Sequence, residues 1–290
     1  MNGIAIVDKP AGWTSHDVVA KLRGVFQIRR IGHGGTLDPM ATGVLPVFIG
    51  RATRAAEFCE NAEKEYIAGL RLGVVTDTQD TTGSVISSAP ATVSEDELLA
   101  VISGFLGAQK QIPPMYSAVK IDGKKLYESA RRGIEIQRPA RNIFISEIEL
   151  LEGGGSEFLL RVVCSKGTYI RTLCHDIGQK LGCGGTMSSL RRTRAGAFDI
   201  DMARTLDQII AAVSTGDAES IVMPVDSIFA EYPAVTLSEP ETKRCKNGLH
   251  CRLTRSSDGK FRLYDPHGGF VALGEISGGA LKIIKSFYEV

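Results

Sequence analysis

A chain of 290 residues, 43% hydrophobic and 23% charged, has the composition of a folded protein with one large domain or two domains, which excludes a disordered chain. Its apolar runs, such as "VLPVFIG" at 44–50, are far shorter than the ~18 residues of a membrane span, and "MNGIAIVDKP" carries no basic stretch followed by a long apolar one, so no membrane partner and a cytoplasmic location are expected. A net charge of +1 argues against a uniformly basic nucleic-acid binder.

The chain opens with a short strand, "GIAIV". A helix is predicted from about Ser15, with Val18, Val19, Leu22, Val25 and Phe26 on one face. "GHGGTLDPMATG" reads as a glycine-rich loop, followed by a strand at "VLPVFIG" and a helix over "RAAEFCENA". "EYIAGLRLG" alternates at Tyr66, Ala68, Leu70 and Leu72, as a strand does. Ser94 and Glu97 form a capping-box pattern, with Val93 and Leu98 at the staple positions. "MYSAVKIDGKKLYESARRG" predicts a strand, a turn at Asp122-Gly123 and a short helix ended by Gly133. "IFISEIELL" and "EFLLRVVCS" read as paired strands across a glycine turn. "TYIRTLCHDIGQKLG" predicts a helix, and Thr205 with Gln208 starts another. After about Tyr232, short strands separated by Asp-Gly and Gly-Gly turns predict a small all-β module.

Charge is segregated along this order. Residues 161–194 hold seven basic residues and one acid, 110–141 hold eight and three, and 195–241 hold nine acids and one Arg. Basic faces for RNA or DNA, or solvated helix faces, both fit this pattern. None of the six cysteines is spaced Cys-x-x-Cys, so free thiols are expected, with no zinc, no other metal and no cofactor.

The glycine-rich loop surrounds a single carboxylate, Asp38. It lacks the Gly-Lys-Ser/Thr close of a phosphate loop and the glycine spacing of a dinucleotide fingerprint. Asp38 is either a turn residue or a reactive acid. Pro39 removes one local donor and biases Asp38 toward an extended backbone, which weakens a capping role. Arg171, early in a helix after a basic turn, is a candidate two-pronged partner for a carboxylate. Tyr66 is either sheet core or a surface for base stacking.

Five blocks carry a resemblance: "VDKPAGWTSHDVV", "GHGGTLDPMATGVLPVFIGRATR", "KEYIAGLRLGVVTDTQDTTG", "IPPMYSAVKIDGKKLYESARRG" and "CSKGTYIRTLCHDIG", with "SSLRRTRAGAFDI" as a sixth. In this order they resemble the bacterial tRNA pseudouridine-55 synthases of the TruB family. The resemblance implies an α+β fold: a mixed, largely antiparallel bent-sheet catalytic domain at 1–231, with a basic RNA-binding insertion at about 112–141, and a small all-β PUA-like RNA-binding domain at 232–290. It implies Asp38 as the catalytic aspartate, Tyr66 as the base-stacking tyrosine and Arg171 as the partner that keeps the carboxylate charged. His33 and Leu190 fall beside the target nucleotide. Lys9, and Lys120, Lys124, Lys125, Arg131 and Arg132 of the insertion, are assigned to RNA contact. Two departures stand out: Gly34 occupies a position where the family usually has Thr, and Ala197 one where it usually has Pro.

The implied reaction isomerises uridine 55 in the T loop of tRNA to pseudouridine, after flipping the base out. Expected partners are the tRNA T arm alone, without membrane or guide RNA, and the chain is expected to act as a monomer. A non-catalytic RNA-binding or RNA-folding protein, and a guide-dependent relative, are the competing readings. The three candidate chemical residues argue against the first, and the chain's own basic insertion against the second.

Overall fold

The computed structural model describes residues 1–121, 123–253 and 257–288. Asp122, half of the expected Asp122-Gly123 turn, and the side chain of Lys125 lie outside what is described. Strand β1 (Gly3–Lys9) leads into helix α1 (Ser15–Phe26), the short strand β2 (Ile31–His33) and strand β3 (Thr42–Ile49). Helix α1 starts at Thr14, which forms a capping box with Asp17, and it buries Val18, Val19 and Leu22. Helix α2 (Ala56–Asn61) precedes strand β4 (Lys64–Leu72), where Tyr66, Ala68, Leu70 and Leu72 are buried as the alternation requires.

Hairpin β5 (Val74–Thr76) and β6 (Val85–Ser88) follows, then helix α3 (Glu95–Ser103) with the expected Ser94–Glu97 box, and strand β7 (Gly107–Gln111). The basic insertion forms a two-residue hairpin, β8 (Lys120–Ile121) and β9 (Lys124–Lys125), and a short helix α4 (Leu126–Ala130). Long strands β10 (Arg141–Gly154) and β11 (Glu157–Cys164) pair as a hairpin. Helix α5 (Ile170–Lys180), strand β12 (Gly185–Ala195), strand β13 (Phe198–Asp199) and helix α6 (Leu206–Ser214) complete the larger body.

One sheet runs in the order β1-β3-β12-β4-β11-β10-β7, with β2 also on β3 and β13 on β12. All its pairs are antiparallel except β3 with β12, which meet at Thr42 with Arg191 and Gly43 with Arg192. This one parallel contact sets the loop between β2 and β3 beside the centre of β12, and helix α5 packs on β4 and β12. The α+β class expected from the resemblance is the one observed.

The β-rich module after Tyr232 is a second sheet, in the order β14-β16-β17-β18-β15: β14 (Ala234–Thr236), β15 (Cys251–Arg252), β16 (Gly259–Tyr264), β17 (Phe270–Ser277) and β18 (Ala280–Ser286). It also carries a helix, α7 (Glu239–Lys246), started by a capping box at Ser238 and Glu241. The two sheets share a core. Phe229 packs edge-on against Phe58 and lies beside Phe270 and Phe287, in a cluster that includes Ile4, Phe48, Phe198 and Leu273. Each phenylalanine buried there contributes about 1.5–3 kcal/mol relative to exposure. Among the described residues, no helix is long and apolar enough to cross a membrane.

Candidate active site

The loop between β2 and β3 is held from several directions. Ser15 Oγ donates to the Leu37 carbonyl at 3.1 Å and accepts from the Leu37 N–H at 2.9 Å. Lys9 Nζ donates to the carbonyls of Pro10, Trp13 and Pro39, at 2.9, 2.6 and 3.2 Å. Lys9 is fully buried, so its assignment to RNA contact is corrected: its donors are spent on the chain beside Asp38. Burial lowers its pKa to about 8, against the attraction of Asp38.

Arg192, on β12 and 1% exposed, reaches the same loop. Its Nε donates to the Val44 carbonyl at 2.7 Å and its Nη2 to the Gly35 carbonyl at 3.1 Å. The chain passes so close that a Cβ at Gly43, where φ is +97°, would lie 2.1 Å from the Arg192 carbonyl oxygen. Gly34 is the family's Thr position by resemblance. A Cβ there would stand 2.8 Å from the Phe48 ring and 2.9 Å from Cys59 Cβ. Phe48 and Cys59 thus take the space that a side chain would need.

Asp38 faces the start of helix α5. Its Oδ2 lies 2.9 Å from Nε of Arg171, whose side chain is 5% exposed, while that of Asp38 is 37% exposed. The expected two-pronged grip is corrected by the geometry. Arg171 Nη1 donates to the Thr78 carbonyl at 3.0 Å and Nη2 to the Tyr116 carbonyl at 2.8 Å. One guanidinium therefore joins Asp38, the segment between β5 and β6, and the start of the basic insertion. Asp80 adds a second acid, with Oδ2 at 3.7 Å from Arg171 Nη1. Its Oδ1 accepts from Thr78 Oγ1, Thr82 N–H and Thr82 Oγ1.

These neighbours set the charge state of Asp38. Desolvation raises its pKa; Arg171 opposes the rise, Asp80 adds to it and Lys9 opposes it, and the net direction is upward. Arg171 therefore does not hold Asp38 below the ordinary carboxylate range. It compensates part of the cost of a poorly solvated acid.

His33 ends β2 and meets His16 edge-on, with ring centroids 5.3 Å apart. Its Nδ1 is buried and has no hydrogen-bond partner among the described residues. Desolvation, then His16 and Arg192, lower its pKa to about 4, so the ring is neutral at neutral pH. Tyr66 is 9% exposed on β4 and stands opposite Arg192 of β12 in register; Leu190, also 9% exposed, stands opposite Ala68 two residues on. Burial raises the pKa of the Tyr66 phenol, while Arg192 acts on it in the opposite sense by charge and hydrogen bonding. In the insertion, Lys120, Lys124, Arg131 and Arg132 are exposed. Arg131 stacks over the Tyr127 ring, 5.4 Å from its centroid.

Sequence reasoning missed Asp80, Arg192 and Lys64. Asp80 lies in "TDTQDTTG", whose threonines and aspartates look like an ordinary turn. Arg192 lies in a basic run taken for surface. Lys64 is buried and donates to the Cys59, Glu60 and Ala62 carbonyls at the end of α2. Consecutive caps of this kind leave no periodic signal.

The sequence profile described as the TruB family pseudouridylate synthase N-terminal domain matches residues 23–170, and that of the tRNA pseudouridylate synthase B C-terminal domain matches 171–230. The chain belongs to the TruB family of pseudouridylate synthases. Two relatives, each named tRNA pseudouridine synthase B, support this. That of Azoarcus sp. strain BH72 is 42% identical over 282 residues, covering 97% of this chain and 93% of its own. That of Clostridium kluyveri is 39% identical over 295 residues, covering 99% and 100%. Among solved structures, a chain of an H/ACA RNP bound to a substrate RNA containing 2'-deoxyuridine has a TM-score of 0.75 at 27% identity. A chain of a Cbf5-Nop10-Gar1 complex has 0.75 at 30%; in both cases 99% of this chain and 85% of that chain are covered. As a pseudouridine synthase of this family, the chain is an isomerase. Asp38 lies within the first matched region, and Arg171 is the first residue of the second.

Proposed function

We propose that this chain converts uridine 55 in the T loop of tRNA to pseudouridine, with Asp38 as its reactive carboxylate. The observation that carries the reading is the Asp38–Arg171 pair, a partly exposed acid with a raised pKa, braced by a buried guanidinium. In the reaction the bond from ribose C1′ to uracil N1 breaks, the uracil turns, and C5 bonds to C1′ as C5 gives up its proton and N1 gains one. Asp38 acts either as a nucleophile on the sugar or as a base at C2′; weak solvation favours both by leaving the carboxylate more basic.

The T loop hides its bases, so the target is flipped out. Tyr66 stacks on the extruded uracil, and His33, neutral and with a free Nδ1 edge, faces the vacated place beside Leu190. The exposed Lys120, Lys124, Arg131 and Arg132, with Lys125, hold the RNA backbone from the insertion. Residues 1–231 form the catalytic domain and 232–290 a PUA-like RNA-binding domain. The chain works as a cytoplasmic monomer, and the relatives named tRNA pseudouridine synthase B support tRNA as its substrate.

The solved relatives in H/ACA complexes give weight to one other reading, guidance by a separate RNA. Mapping pseudouridine by nucleotide in a protein-free T-arm transcript, after incubation with the purified chain alone, tests the proposal. Modification at uridine 55 is expected. Modification only when a guide RNA is added would favour the second reading.

A further inference from the structure

Arg192 is a fully buried cation with no acidic partner described beside it. Removing a guanidinium from water is costly, and an isolated one persists only where several fixed dipoles compensate it. Here the dipoles belong to the candidate active site. Nε donates to the Val44 carbonyl at 2.7 Å, and Nη2 donates to the Gly35 carbonyl at 3.1 Å. Gly35 and Val44 bracket Asp38, three residues before it and six after. Arg192 also stands directly across the β4–β12 pair from Tyr66, on the same face of the sheet. Its remaining nitrogen, Nη1, lies on the Gly35 side of the guanidinium, 3.6 Å from where a Gly35 Cβ would be.

We propose that Arg192 is a positioning residue that fixes Tyr66 and the Asp38 loop relative to each other, so that base stacking and sugar chemistry occur in one geometry. The inference rests on the roles proposed above for Asp38 and Tyr66. A separate constraint explains why an arginine is needed. Arg171 anchors Asp38 to the segment between β5 and β6 and to the insertion, but among the described residues its side chain bonds to nothing on β4 or β12. Arg192 sits on β12, the strand that carries Leu190, stands across from Tyr66 of β4, and bonds to the Gly35 carbonyl in the loop, so it spans all three. The planar fork serves several directions at once, whereas a lysine ammonium at the end of a flexible stem does not reproduce that fixed spread.

The test is a double-mutant cycle on single-turnover pseudouridine formation at saturating tRNA, with Arg192→Lys, Tyr66→Phe and the double variant. Melting curves and tRNA affinity are measured on all three. Arg192→Lys is expected to fold, to bind tRNA within a few-fold of the parent and to lose on the order of 100-fold in rate, the cost of a misplacement of about 1 Å. The double variant is expected to be little slower than the slower single variant, because each change breaks the same coupling. A merely structural role would lower the melting temperature and leave the two rate losses multiplicative. Multiplicative losses beside an impaired Tyr66→Phe would overturn this inference alone. Full rate in Tyr66→Phe, which keeps the stacking ring, would show that the Tyr66 hydroxyl needs no positioning by Arg192 and would overturn this inference. Full rate in Arg192→Lys would show that charge suffices without the fork. If Arg192→Lys does not fold, Arg192→Gln is taken through the same cycle, and failure of both to fold would make Arg192 a folding element and overturn the proposal.

Discussion

Arg171 meets Asp38 through a single nitrogen, Nε at 2.9 Å from Oδ2, and commits its two terminal nitrogens to the backbone of Thr78 and Tyr116. The arginine thus ties together three segments, and the carboxylate is only one of them. A lysine at 171 keeps the charge but cannot serve two carbonyls and a carboxylate in fixed directions. Arg171→Lys is expected to lower the single-turnover rate by on the order of 100-fold and to loosen the insertion next to Tyr116. Rates come from quenched time courses, and loosening from amide exchange over 112–120. Near-normal turnover would mean that the charge alone matters.

Asp38→Asn is expected to bind tRNA and to lose turnover, since the neighbouring acid, Asp80, is buried and held by Thr78 and Thr82. Its stability is informative too. The folded pKa of Asp38 is raised, so the folded state holds the proton more tightly than the unfolded chain. The acid's contribution is then fully present below its unfolded pKa and is lost as pH rises through the folded pKa. At neutral pH the neutral amide should therefore melt at or above the parent's temperature, and this advantage should shrink as pH falls. Substantial pseudouridine formation by the purified Asp38→Asn protein would remove Asp38 from the reaction.

His33 gives the opposite slope. Its pKa falls from 6.5 to about 4 on folding, so between those values the unfolded chain binds more protons and stability rises with pH. His33→Asn should flatten that part of the curve of melting temperature against pH. Superimposable curves would show that the ring is not held neutral.

Much of this was legible. The helix start near Ser15, the boxes at Ser94 and Thr205 and the alternation of β4 are local signals, and the structure follows them. Strand β12 was not read as a strand, although it lies between β3 and β4. Its "LRRTRA" hides a buried arginine, and a charge paired only with distant carbonyls looks like surface in a sequence. Strand β7, "GAQKQ", is a polar strand at the end of the sheet order, and its pairing with β10 depends on residues thirty positions away. The pairing of Asp38 with Arg171 followed only from the resemblance. The way Arg171 divides its bonds required the fold, because Thr78 and Tyr116 are brought to it by tertiary contacts.

Gly34 tests whether a family residue fits this chain. Phe48 and Cys59 stand less than 3 Å from a Cβ at that position. Gly34→Thr, which introduces the residue expected from the family, should destabilise by roughly 1–3 kcal/mol through overpacking. Chemical denaturation measures it. A neutral or stabilising result would mean that the loop yields easily, and the close packing would then count for little.

The small β-rich module offers a test of positioning apart from chemistry. Deleting it would strip Phe270, Leu273 and Phe287 from the shared core, so a truncated chain would confound folding with binding. Surface charges avoid this. Lys243, Arg252 and Lys282 are exposed on α7, β15 and β18. If they meet phosphates, each replacement by Gln should weaken tRNA binding and flatten its log–log salt dependence by roughly 0.7–0.9. The single-turnover rate at saturating tRNA should stay unchanged, because phosphate contacts position the RNA without touching the base. Salt titrations of affinity for the three variants, alongside saturated rates, separate the outcomes. An unchanged slope would take these cations out of the RNA footprint, and a fall in the saturated rate would show that the module helps to shape the site.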